Sequence, residues 1–355
     1  MSIPVKWFHS NMTGAPQFSS SGGSIIQILD ACLINGFNAQ SVDSLTYDSG
    51  TGKCTAVVNA GHGFEDYQVV LIEGANETEY NGEVRVTAVD STTFTYTPDT
   101  APTVATATGA ITAKAAPVGG WEKRFSGSNK GVYASIDALA APGVLRIDDN
   151  NGKSPLVQGC RSATDVDTVT DPYPASAIKW WAEAGNFWAL VADGRTLYLL
   201  DADGPSWSKI MAYGDFHSYV VGDADSKLLS GGDYSSNSWY GVVGNDRQKI
   251  NLQADHLGVA DCEALASGNR CSYPWGTGGS SVDPVAGEIV LYSNIVISEN
   301  TSGAIRGLLR GAYQPLHDAG DPGFFAVIDV AGRLFASMRD KAHGGVVFVD
   351  LEGAW

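Results

Sequence analysis

Between about residues 41 and 114 the chain breaks its apolar runs every few positions. "CTAVVNA", "YQVVLIEG", "GEVRVTAVD", "TTFTYTP" and "ATGAITAK" are rich in Val, Ile, Thr and aromatic residues, and each is cut off by Gly, Asn, Asp or Pro. Runs this short cannot form self-supporting helices, whereas strands can pair with their neighbours. The same punctuation returns after Trp121 in "GVYASI", "GVLRIDD", "SYVVGD", "GEIVLYSNIVI", "FFAVIDVAGRLFASM" and "GGVVFVDLEG". It predicts a mostly β fold with a β-sandwich-like body. The 42 glycines and the 17% of charged residues suit that class. In "FWALVADGRTLYLLDADG" a hairpin is expected, with Asp193-Gly194 supplying positive-φ residues at the turn.

One segment has a different period. In "SIIQILDACLINGF", residues 24–37, Ile25, Ile26, Leu29, Cys32 and Leu33 recur at helical spacing behind Ser24 as N-cap, and Asn35-Gly36 stops the pattern. The stripe needs a partner surface in the chain or in another subunit. A chain of 355 residues fits two or three folding units. The expected division is an N-terminal segment with the helix at 1–40 and an inserted small β-barrel at 41–116. A β-rich body follows in two parts, 117–214 and 215–355.

The 39 acidic and 22 basic residues give a net charge of -17, which disfavours nucleic acid and anionic membrane surfaces as partners. No apolar run reaches the roughly 18 residues of a membrane span, and the first residues lack a secretion signal, so a soluble, unprocessed protein is expected. Five cysteines, at 32, 54, 160, 262 and 271, form no CxxC pair and leave at least one thiol unpaired, which points to assembly in a reducing cytoplasm.

Motifs for chemistry are sparse. Six histidines, at 9, 62, 217, 256, 317 and 343, show no zinc-ligand spacing. "DDNNG" at 148–152, "DVD" at 165–167 and "DADG" at 201–204 have the oxygen density of calcium loops without the closing Glu, and Asx-turns explain them better. Cys262 with His256 has only weak spacing evidence as a nucleophile and base. There is no GxSxG elbow, Walker loop or GxGxxG helix opening. No catalytic residue, metal ligand or cofactor is assigned.

Four stretches are familiar together. "HSNMTGAPQFSSSGGSIIQILDACLINGFN", the phrase from "VDSLTYDSGTGK" to "STTFTY", "KRFSGSNKGVYAS" and "IRGLLRGAYQPLH" resemble a family of tailed-bacteriophage tail-tip or baseplate structural proteins, in order along nearly the whole chain. The insert is also similar to small β-barrel modules of phage virion proteins, with His62-Gly63 and Gly82 at turns and Val70, Ile72, Val84, Val86 and Phe94 facing inward. The resemblance implies a non-enzymatic virion component, made and assembled in the host cytoplasm. It would pack against copies of itself, with a trimer the expected count, and against tail hub or fibre proteins. The alternatives are an adhesin for host surface glycan and a glycan-degrading virion enzyme.

Two residue groups carry these readings. Arg306 and Arg310, four apart in "IRGLLRGAYQPLH", read as a strand leading into a turn and could grip a neighbour's carboxylates, with Tyr313 beside them. Solvated or intrachain-bridged arginines are the plainer alternative. Trp180, Trp181, Trp188 and Trp275, with Asp and Asn nearby, could stack on sugar rings if exposed, or fill the core if not.

Overall fold

In the computed structural model all five residues of the helical stripe are buried. The described residues are 3–152, 155–172, 185–203, 207–223, 226–232, 239–242, 249–254, 291–299, 305–315, 323–340, 345–353 and 355. An α-helix at Ser24–Leu29 widens into π-helical turns at Asp30–Asn35. Gly36 ends it at φ +71°, where a Cβ would meet the Ala115 carbonyl at 2.3 Å. The expected cap differs. Ser24 Oγ bonds the main chain of Ser19, and the Ile25 amide donates instead to Asp149 Oδ2 at 3.2 Å, from a residue 124 positions away. Farther along, Asp30 accepts from Tyr133 Oη at 2.7 Å and from Lys123 Nζ at 2.8 Å. These bonds pin the helix to a five-stranded antiparallel meander, Trp121–Gly127, Lys130–Ser135, Val144–Asp148, Leu156–Ala163 and Val169–Pro172.

Two four-stranded antiparallel sheets occupy residues 37–115 and close on a core of their own. Strict alternation builds it: Val70, Ile72, Val84, Val86 and Phe94 are buried. His62 and Phe64 stack with ring centroids 5.5 Å apart, and Phe94 meets Phe64 edge-on at 5.5 Å.

Among the described residues the body sheet has thirteen strands. It starts at the edge strand Lys6–His9, runs through Phe187–Ala192, Thr196–Asp203 and Trp207–Asp215, and ends at Phe325–Val330. Strands Thr196–Asp203 and Trp207–Asp215 pack on Arg333–Asp340, so the sheet folds over itself into a sandwich-like body. Tyr198 Oη donates to the Arg310 carbonyl at 2.6 Å across that interior. The sheet's two edge strands meet without pairing: Trp7 and His9 lie 5.7 and 5.6 Å from the Phe325 ring. Strand Trp207–Asp215 spans position 214, so the pairing is continuous there.

The small barrel covers that open edge. Lys6 Nζ is 3.0 Å from Glu83 Oε1, His9 Nε2 is 3.0 Å from Glu65 Oε2, and the Trp7 indole donates to the Tyr67 carbonyl at 3.4 Å. Arg85 reaches the Leu351 carbonyl at 2.9 Å. Covering an edge strand removes a row of unpaired main-chain groups that would otherwise pair with another chain.

The hairpin at 193 closes differently from expectation. Neither Asp193 nor Gly194 has positive φ. The Asp193 carboxylate instead accepts from the Arg195 and Thr196 amides at 2.8 and 2.7 Å, an Asx-type closure.

Candidate functional site: a buried charge cluster beneath two apolar loops

Strand Ile305–Pro315 carries "IRGLLRGAYQP" into the sandwich interior. Arg310 is 2% exposed, and its Nη2 pairs with Asp193 Oδ2 at 2.8 Å and donates to the main-chain oxygen of Trp355. The interface role expected for this arginine is therefore corrected. Its guanidinium is buried and bridges two distant parts of its own chain, Asp193 and Trp355. The Arg306 side chain lies outside the described residues. Tyr313 is half-buried, with its ring edge-on to Phe335 at 5.8 Å.

The sugar-stacking expectation is corrected at Trp188. This side chain is fully buried, and its indole N–H donates to the Pro16 carbonyl at 2.9 Å, so no face is free for a ligand. Trp180, Trp181 and Trp275 lie outside the described residues, as do His256, Cys262, His317 and His343.

Arg310 belongs to a cluster that sequence reasoning did not assemble. Asp193 is held by Arg310, Asp215 by Lys227 at 2.8 Å, and Thr196 ties the two pairs, its amide donating to Asp193 and its hydroxyl to the Asp215 carbonyl at 2.9 Å. Lys227 is 1% exposed, with Nζ 5.6 Å from the Tyr213 ring centroid. Burial sets the electrostatics. It raises the Asp193 pKa against the opposing pull of Arg310, and it lowers those of Arg310 and Lys227 against the pull of their carboxylates. His217 is also lowered, first by burial and then by Arg310 and Arg195. No local pattern marks Lys227 or Asp215, because their meaning comes only from strand pairing.

Two loops rise from this cluster. The first, after strand Lys130–Ser135, is tied down by Asp137 to Arg195 at 3.4 Å and by the Ala141 amide to Asp215 Oδ2 at 3.0 Å. The second joins His217–Ser218 to the strand that begins at Lys227. Together they expose Ile136 (60%), Leu139 (77%), Tyr219 (59%), Val220 (53%) and Val221 (101%). Five large apolar side chains exposed on two loops that both leave this cluster are unusual for surface loops.

The carboxylate-rich stretches are accounted for where they are described. Asp165 accepts the amides of Asp167 and Thr168, while Asp148 and Asp167 both face Lys130 and Arg146. Asp201 is buried, and no three His, Cys, Asp or Glu side chains gather among the described residues. Cys32, Cys54 and Cys160 are buried free thiols. No protein-family model matches the chain, and no curated protein matches it either.

Proposed function

We propose that this protein is a structural component of a bacteriophage tail tip or baseplate, working through shape and docking surfaces rather than a reaction centre. The observation that carries the reading is the exposed set Ile136, Leu139, Tyr219, Val220 and Val221, anchored on an internally charge-paired body. Apolar side chains fixed this way lower the ordering cost of an interface. Three further features support it: the resemblance of four stretches to tail proteins, the barrel docked along the sheet edge, and buried ion pairs that join distant parts of one chain. Repeated modest contacts around a ring would give avidity to copies of the protein, to the hub and to a fibre.

The test combines incorporation with binding and turnover. Purified particles are expected to contain the chain at fixed stoichiometry, while the isolated protein neither binds a glycan array nor releases sugar from host surface polysaccharide. Specific glycan binding would favour the adhesin, and sugar release would favour the enzyme.

A further inference from the structure

Asp215 and Lys227 stand directly opposite each other on the paired strands Trp207–Asp215 and Lys227–Gly232. Their side chains are 6% and 1% exposed, and Nζ lies 2.8 Å from Oδ1. Apart from this contact, neither Nζ nor Oδ1 has a hydrogen-bond partner among the described residues. An ammonium in this position has lost its water and gained a single carboxylate oxygen in exchange, so its charge is costly to keep buried. Burial lowers the Lys227 pKa, and Arg310 and Arg195 add to that lowering against the attraction of Asp215.

We propose that Lys227 and Asp215 condense into an intramolecular amide that joins the two strands covalently. One proton first passes from Nζ to the Asp215 carboxylate; the amine lone pair then forms the Nζ–Cγ bond, the Cγ–Oδ1 bond breaks, and the transferred proton and one amine proton leave with Oδ1 as one water molecule. The ion pair already holds every atom required, so no oxidant or external reactant takes part. Two features assist the step. Strand pairing holds nucleophile and electrophile in contact, which replaces an encounter with a fixed geometry. The Ala141 amide, 3.0 Å from Oδ2, donates to the oxygen that gains charge as Cγ becomes tetrahedral. The product is neutral, so two buried charges and their desolvation cost disappear.

The other buried lysine shows why the reaction is specific. Lys6 Nζ donates to the Val118 carbonyl at 2.8 Å and faces Glu83, whose side chain is 16% exposed, so its charge is solvated by the fold. Only the Lys227 site combines contact, burial and missing acceptors among the described lysine pairs. The amide would clamp the base of the loop that displays Tyr219, Val220 and Val221, and it stands independently of the virion reading.

Intact mass spectrometry of the denatured full chain tests it. The wild-type protein is expected to be one water lighter than its Lys227→Arg variant after correction for the substitution. Trypsin should fail to cut after Lys227, leaving a fragment from Ile210 to Arg247 that lacks one water and gives no backbone fragments between 215 and 227. Full sequence mass with normal cleavage after Lys227 would overturn the proposal. So would a water loss that maps elsewhere, such as Asp193-Gly194. Because the wild-type measurement decides alone, poor folding of the variant does not blunt the test.

Discussion

Arg310 Nη2 and Asp193 Oδ2 meet at 2.8 Å across 117 positions of sequence, both almost fully buried. Burial moves both pKa values toward the neutral forms, so removal from water outweighs the attraction between the partners. Arg310→Met alone leaves a buried, unpaired carboxylate and should destabilise the fold by about 3–5 kcal/mol, read from urea denaturation. Adding Asp193→Asn, which keeps the acceptor for the Arg195 and Thr196 amides, should recover most of that loss. A double variant as unstable as the single one would show that the pair contributes more than mutual neutralisation.

The distant cap makes a second prediction. Asp149→Ala removes the only side-chain acceptor described for the Ile25 amide and should cost about 1–2 kcal/mol. The loss should appear as faster amide exchange in residues 25–28, well before exchange rises in the barrel strands. Ser24→Ala should change that exchange little, because Ser24 serves Ser19 instead.

Lys6 gives the fold a pH signature. Its pKa is lowered from 10.5, chiefly by burial and despite Glu83. Between the lowered folded value and 10.5 the unfolded chain binds more protons than the folded one, so this residue makes stability rise with pH across that window. The wild type minus Lys6→Met difference in urea midpoint should therefore grow more favourable to the wild type toward pH 10.5. A flat or falling difference would contradict the assigned direction.

Much of the architecture follows from short-range patterns. Alternation places Val70, Ile72, Val84, Val86 and Phe94 inside the barrel, and helical spacing places Ile25, Ile26, Leu29, Cys32 and Leu33 inside the body. Both patterns are properties of neighbouring residues, so the sequence displays them directly. The charge cluster is not local. Asp193 reads as a turn residue and Arg310 as one member of a cationic strand until the sheet folds over and joins them. Trp188 was ambiguous for a related reason: a tryptophan has the same composition in a core or a binding face, and only the Pro16 carbonyl decides between them.

The apolar loops should separate assembly from folding. Leu139→Ser and Val221→Ser alter side chains that are 77% and 101% exposed, so stability should change by no more than about 0.5 kcal/mol. Incorporation of the variants into particles, scored by quantitative mass spectrometry against the wild type, should fall. Normal incorporation of the double variant would remove these loops from the interface.

Imaging intact tailed particles at side-chain detail and tracing this polypeptide tests the central proposal most directly. The expected result is an ordered ring of copies at the tail tip or baseplate, with Leu139 and Val221 against a neighbouring subunit. Mature particles that lack the chain altogether would contradict the account.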